Sequence, residues 1–274
     1  MTSTALRAVL LDLDDTLIES TALRAVLLDL DDTLIDNPMA TFIPAYFAAL
    51  EAFVSGVVAP DVFIEELLRA TRAMDHNQGS GPTNEEVFAA AFYPRLGVPQ
   101  EQMQPLLERF YREAFPGLEP VVGKRPTAPK VVEWAQSRDL QVVIATNPLF
   151  PRTAIEQRMA WGDVGVDRFD YQLVTSYENC HATKSHPAYF SGIVENLGRR
   201  PYECLMVGDN WAWDVACAAE AGVPAFWIAH DGAQAPPPPT RTVGRGDLDA
   251  FLEQARSGQL EEQWRELVWE GSNA

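Results

Sequence analysis

Four short apolar runs that end in polar residues constrain this chain most. They are AVLL at 25–28, VVIAT at 142–146, CLMVGD at 204–209 and AFWIA at 225–229. Runs of this length without alternation fit strands covered on both faces. Helix-patterned segments separate them, at 129–138, 151–161, 186–197 and 211–221, and Leu173-Val174-Thr175 adds one more short strand. Buried strands alternating with helices specify an α/β fold, a doubly wound, Rossmann-like parallel sheet. The chain has 274 residues, 47% of them hydrophobic, enough for a core of that size.

Residues 38–116 break the alternation and read as an all-helical insert. Val62, Ile64, Leu67 and Leu68 follow helical spacing, and Thr83 with Glu86 forms a capping box before VFAAAFY. Gln100–Ala114 makes another helix, and GSGP at 79–82 is a turn. The expected organisation is an α/β core of 20–37 and 117–235, with a helical cap of 38–116 hinged near 33–38 and 116–126. Pro236–Pro239 form a stiff connector. The tail it opens, 236–274, carries Leu248, Phe251, Leu252, Trp264, Leu267, Val268 and Trp269 in an amphipathic pattern. A helix packed on the body is the expectation there, and a partner-binding tail the alternative.

Sixteen residues, STALRAVLLDLDDTLI, occur at 3–18 and again, unchanged, at 20–35. A tandem duplication of 17 codons explains identity of this extent. The sheet has one central slot for this strand, beside the VVIAT and CLMVGD strands. The second copy runs straight into Asp36-Asn37-Pro38, a natural turn. Using the first copy would lengthen that connection from roughly 5 to 22 residues, at about 1.3 kcal/mol. The second copy is therefore expected in the slot. Residues 1–19 then form a tail in which Asp12 and Asp14 are spare, and its AVLLDL is β-prone and able to associate.

Composition excludes several functions. Acidic residues outnumber basic ones 39 to 21, for a net charge of −18, and nucleic-acid binding needs the opposite sign. Cys180, Cys204 and Cys217 are too few for a disulfide framework and suggest a reducing, cytoplasmic setting. Cys180, His181 and His186 fit no common zinc spacing. The apolar stretch Ala8–Leu11 meets Asp12 at once, so no signal peptide is read. Nothing approaches the ~20 apolar residues of a membrane span.

The strand ends carry the chemistry. Residues i and i+2 of a strand point the same way, so Asp29 and Asp31 can reach one site. Thr146 and Asn147 follow VVIA, Asp209 ends CLMVGD, Asp214 follows it, and Lys184 lies in TKSHPAYF. Open α/β sheets bind ligands at this edge. Two unit charges ~4 Å apart repel by ~4 kcal/mol at an effective dielectric near ~20. Three carboxylates sharing a site therefore need a cation or a raised pKa. Oxygen-only ligands favour Mg2+ over zinc or copper. Lys184 adds a fixed positive charge and Thr146 a hydroxyl donor. Together these groups suit phosphoryl transfer. Singly, each has a plainer reading: DD as a solvated turn, Thr146-Asn147 as a helix cap, Lys184 as a surface residue.

The elements DLDDT, ATN, TKSHP and GDNWAWD, in this order over about residues 25–230, resemble the haloacid dehalogenase-like (HAD) superfamily. Its pattern is DxDx(T/V), a Ser/Thr after a strand, a Lys before a helix, and GDxxxxD. The resemblance implies that Asp29 attacks phosphorus and forms an aspartyl-phosphate. It makes Asp31 the group that protonates the leaving oxygen and then activates water. Asp29, the Asp31 backbone carbonyl and Asp209 would hold Mg2+, with Asp214 acting through a water or by orienting Lys184. Thr146, Asn147 and Lys184 would bind the phosphoryl group, and the insert would be a mobile cap. Ser185 follows Lys184 where the family often has Pro, and Trp211 and Trp213 make the GDxxxxD interior unusually aromatic. These rings either pack the helix or wall the leaving group.

The expected activity is Mg2+-dependent hydrolysis of a small-molecule phosphate ester. Asp31 weighs against dehalogenation, because that branch lacks the second Asp. A phosphomutase using the same site is the alternative, told apart by an isomeric product. A non-catalytic binding protein would have lost Asp29, Asp31 or Lys184. Phe42, Tyr46, Asp75 and Asn77 either face the leaving group or, more plainly, pack the cap and form a solvated turn. The sequence sets neither the substrate nor the oligomeric state.

Overall fold

The computed structural model describes residues 22–229 and 242–272. The first copy of the repeat, with Asp12 and Asp14, and the proline run lie outside the described residues. The strands are β1 (Ala25–Leu28), β2 (Ile35–Asp36), β3 (Gly123–Lys124), β4 (Gln141–Ile144), β5 (Leu173–Val174), β6 (Cys204–Gly208), β7 (Ala225–Ile228) and β8 (Thr242–Gly246). The helices are α1 (Met39–Val54), α2 (Pro60–Asp75), α3 (Asn84–Phe92), α4 (Gln100–Glu113), α5 (Ala128–Ser137), α6 (Arg152–Trp161), α7 (Ala188–Leu197), α8 (Ala218–Glu220), α9 (Leu248–Ser257) and α10 (Gln259–Ser272). A π-helical stretch, Trp211–Cys217, precedes α8.

Six strands form one parallel sheet in the order β5-β4-β1-β6-β7-β8. The expected α/β parallel fold is thus observed. β1 lies at its centre, paired with β4 on one side and β6 on the other. Its side chains feed two separate cores. Val26 and Leu28 join Val131, Trp134 and Ile155 on one face, while Ala25 and Leu27 join Phe190, Ile193 and Val215 on the other. Helices cover both faces, which is the physical reason the AVLL run does not alternate.

Four helices, α1 to α4, lie between β2 and β3. Thr83 caps α3 through the reciprocal capping box with Glu86. Their apolar faces build a third, aromatic cluster around Phe42, Phe63, Phe92, Phe110 and Phe115. β2 and β3 pair antiparallel where the chain leaves and re-enters the sheet region. β2, β3 and β8 were not expected from the sequence. The first two are two residues long and β8 reads TVGRG, so backbone pairing rather than an apolar run defines them. In the tail, Phe251 packs on Phe226 and Trp134, and Trp264 is buried, so α9 and α10 lie against the body. No helix among the described residues is long and apolar enough to cross a membrane.

Candidate active site

Three adjacent strand ends converge where β1 stops. The Asp29 amide donates to the Val207 carbonyl at 2.9 Å, and the Ala145 amide donates to the Leu28 carbonyl at 2.7 Å. The ends of β6 and β4 are thereby locked to the end of β1, and their next residues share one space. Beyond Asp29 the chain turns tightly. The Leu30 carbonyl accepts from the amides of Leu34 and Ile35, and Asp32 takes a left-handed φ of 59°. Aspartate tolerates that region better than most residues.

Asp29 is only 6% exposed. Carboxylate oxygens of Asp29, Asp209 and Asp214 lie within 4.8 Å of one another. Asp214 reaches in from the π-helical stretch, and its Oδ2 accepts the Asn210 amide at 3.0 Å. Gly208 makes this possible: a Cβ there would sit 2.3 Å from Asp214 Oδ2. Lys184 Nζ donates to Asp214 Oδ1 at 2.7 Å and also to Asp29. The Lys184 amide donates to Asn147 Oδ1 at 3.2 Å, so the loops after β4 and β5 hold each other. Thr146 is buried beside them, its carbonyl accepting from Thr175 Oγ1 and the Tyr189 hydroxyl.

Three carboxylates therefore face one ammonium. Burial pushes the Asp29 carboxyl well above its usual range; Lys184 pulls it down, and Asp214 and Asp209 push it up again. Burial alone would lower Lys184, but Asp214 and Asp29 outweigh it, and its net shift is upward. The site carries surplus negative charge on oxygen ligands, which fits a hard divalent cation such as Mg2+.

Asp31 does not join this trio. Arg158 Nη1 donates to both its oxygens, at 2.8 and 2.6 Å, and Asn37 Nδ2 donates to Oδ1 at 2.7 Å. Arg158 was not singled out in the sequence, and Asn37 only as part of the turn that follows the repeat. Arg158 did leave a signal: it lies in phase with Ala154 and Trp161 on the buried face of α6. Asn147, expected to bind substrate, has its Oδ1 occupied by the Lys184 amide. Trp211 packs edge-to-face on Trp227, with centroids 4.9 Å apart, while Trp213 is exposed. Phe42 and Tyr46 lie in the aromatic cluster that the insert shares with α6, and both rings meet Phe150. Asn77 donates to Asn84 Oδ1 and the Pro82 carbonyl and so braces the insert, while Asp75 is exposed at the end of α2.

The insert also docks on the loops that carry the site. The buried Asn84 side chain donates to the Pro148 and Ala182 carbonyls at 3.3 and 3.1 Å, and its amide donates to Cys180. Gln78 forms an antiparallel bridge with Ala182.

A model of the haloacid dehalogenase-like hydrolase family matches residues 6–222. The match begins within the first copy of the repeat, whose sequence equals that of the copy in the sheet. Phosphoserine phosphatase of Thermus thermophilus is 28% identical over 267 residues, covering 91% of this chain and 100% of that protein. A HAD phosphatase structure from Thermococcus onnurineus superposes with a TM-score of 0.51 at 22% identity, covering 84% of this chain and 96% of its own. A 2-haloacid dehalogenase from Pseudomonas syringae pv. tomato superposes with a TM-score of 0.55 at 20% identity, covering 88% and 99%. At these identities the two structures show the common fold. The chain belongs to the haloacid dehalogenase-like hydrolase family.

Proposed function

We propose that this hydrolase is a Mg2+-dependent phosphatase of small phosphorylated metabolites. The observation that carries the reading is the convergence of buried Asp29, Lys184 and Asp214 with half-buried Asp209, and a second carboxylate, Asp31, two residues beyond Asp29. Similarity to a phosphoserine phosphatase supports it.

In this reading Asp29 is the nucleophile. One of its oxygens bonds to phosphorus as the ester P–O bond breaks, and the leaving oxygen takes a proton from Asp31. Water then attacks the aspartyl-phosphate, gives its proton to Asp31, and releases phosphate with Asp29 restored. Lys184 and Thr146 bind phosphoryl oxygens, and Asn147 holds the Lys184 loop. Asp29, Asp209 and the Asp31 backbone carbonyl would hold Mg2+, with Asp214 behind them; the ion would neutralise charge on the phosphoryl oxygens. The α1–α4 insert would act as the cap that excludes bulk water.

The test is a screen of phosphate esters with Mg2+ present and absent, on wild type and Asp29→Asn. Phosphate release that needs both Mg2+ and Asp29 is expected. Equal release by the two proteins would remove Asp29 from the role of nucleophile.

A further inference from the structure

We propose that Arg158 is a positioning residue that aims the Asp31 side chain for its two proton transfers, to the leaving oxygen and then from the attacking water. This role rests on the phosphatase reading above.

Arg158 is a fully buried cation in the last turn of α6. Only Nη1 is hydrogen-bonded, and both its bonds go to Asp31, at 2.8 and 2.6 Å. Nε and Nη2 have no hydrogen-bond partner among the described residues. A buried ion pair is often no more stable than apolar residues of the same volume. Stability alone is therefore a weak reason for an arginine here. Its one bonded partner gives the reason.

The guanidinium is held on its faces as well as at its tip. Its central carbon lies 4.7 Å from the Phe150 ring centroid and 5.8 Å from that of Phe42. Aromatic faces hold a planar cation well. Phe150 follows Asn147 on the loop after β4, whereas Phe42 belongs to α1 of the insert. One ring thus comes from the phosphate-binding side and one from the proposed cap. Asn37, buried at the entrance to the insert, completes the grip on Asp31.

The Asp31 side chain keeps 21% exposure, whereas those of Asp29, Asp214 and Lys184 are at 9% or less. It is more exposed than Asp29 and Asp214, so its direction depends on the groups that bind it. A general acid works only within hydrogen-bond reach of the leaving oxygen. Arg158 supplies that constraint and exchanges no proton itself.

The experiment compares leaving groups. Acetate departs from acetyl phosphate without needing a proton, whereas an alkoxide needs one. kcat/KM reports the first irreversible step, transfer of phosphoryl to Asp29, so it isolates the acid role of Asp31. The alkyl probe is whichever of phosphoserine, glycerol 3-phosphate or glucose 6-phosphate wild type hydrolyses fastest. Arg158→Gln is expected to lower kcat/KM for it by roughly 10- to 100-fold. The fall for acetyl phosphate is expected to stay within about threefold, and Arg158→Lys to lie between wild type and Arg158→Gln. In an Asp31→Asn background, Arg158→Gln should cause no further loss for the alkyl ester.

Equal losses for both substrates, or additive losses in the Asp31→Asn background, would overturn the role. If Arg158→Gln does not fold, Arg158→Lys and Phe150→Leu carry the same comparison, each expected to hurt the alkyl ester more than acetyl phosphate. Absence of phosphate release from every probe by wild type with Mg2+ would instead overturn the phosphatase reading, and this role with it.

Discussion

The Lys184 ammonium and the Asp214 carboxylate stand 2.7 Å apart, with side chains 2% and 1% exposed. Lys184 also contacts Asp29, so one cation holds two buried carboxylates. Lys184→Met removes the charge at similar volume and leaves both acids facing each other. The expected cost is about 3–5 kcal/mol, the usual penalty for orphaning one partner of a buried ion pair. Thermal unfolding measures it. Mg2+ should raise the midpoint more in the variant than in wild type, because metal is then the one remaining counter-charge in the trio. A variant as stable as wild type, and indifferent to Mg2+, would show that Lys184 does not neutralise the site.

Asp214 links Lys184, the Asn210 amide and the space made by Gly208. If it braces a Mg2+ site without being its main ligand, Asp214→Asn should raise the Mg2+ needed for half-maximal activity by about 10- to 100-fold. A chelator should abolish activity in wild type, and added Mg2+ should restore it. Titration of activity against Mg2+ checks both. An unchanged midpoint would place Asp214 outside the metal's surroundings.

Asn84 is the point where the insert holds the loops after β4 and β5. Its side chain donates to Pro148 and Ala182 and accepts from Asn77 at 2.9 Å. Asn84→Ala strands two buried carbonyls and should cost about 1–3 kcal/mol in denaturant unfolding. Those carbonyls belong to the residue after Asn147 and to one two positions before Lys184, so KM should rise as well. Loss of stability with an unchanged KM would confine Asn84 to a structural role.

Cys180, Cys204 and Cys217 are free and buried. Burial pushes the Cys180 and Cys204 thiols up to about 12 and the Cys217 thiol up to about 11. A raised pKa keeps each thiol protonated, so at pH 8 the reactive thiolate is scarce. Native protein should therefore react with a disulfide reagent at pH 8 only as fast as it opens, and denaturant should release all three thiols together. A fast stoichiometric phase in native protein would contradict this.

The residues legible in the sequence were those whose position alone reveals them. AVLL, VVIA and CLMVG are apolar throughout because helices cover both faces of their strands, and the polar residues just past them are therefore at the ligand-binding edge. Asp29, Thr146 and Asp209 could be placed that way, and Asp214 and Lys184 through the resemblance of GDNWAWD and TKSHP to the haloacid dehalogenase-like motifs. Arg158 and Asn84 were not legible for the opposite reason. Arg158 left only its place on a buried helix face and Asn84 stands behind a capping box, and each takes its meaning from a partner far away in sequence. Arg158 meets Asp31 across 127 positions and Asn84 meets Ala182 across 98. β2 and β3 were hidden likewise, since two residues carry no period.

The repeated stretch yields the sharpest prediction. β1 comes from the second copy, and the structure adds a reason beyond connection length. The turn after β1 is completed by residues outside the repeat: the Asn37 amide donates to Asp32 Oδ1 at 3.0 Å and its side chain to Asp31 at 2.7 Å. Asp36 pairs with Gly123 in the β2–β3 ladder. Placing the first copy in the slot would set Glu19 where Asp36 stands and Ser20 where Asn37 stands. The serine hydroxyl sits closer to the backbone than the Asn37 Nδ2 that reaches Asp31, so the exchange weakens that bond as well as costing a longer loop. Deleting residues 3–19 should therefore leave phosphatase activity intact, and Asp12→Asn should change it by less than about twofold, whereas Asn37→Ser in the full chain should narrow the gap between copies. Activity assays on these three proteins decide it: near-complete loss in Asp12→Asn would mean that the first copy supplies the working strand.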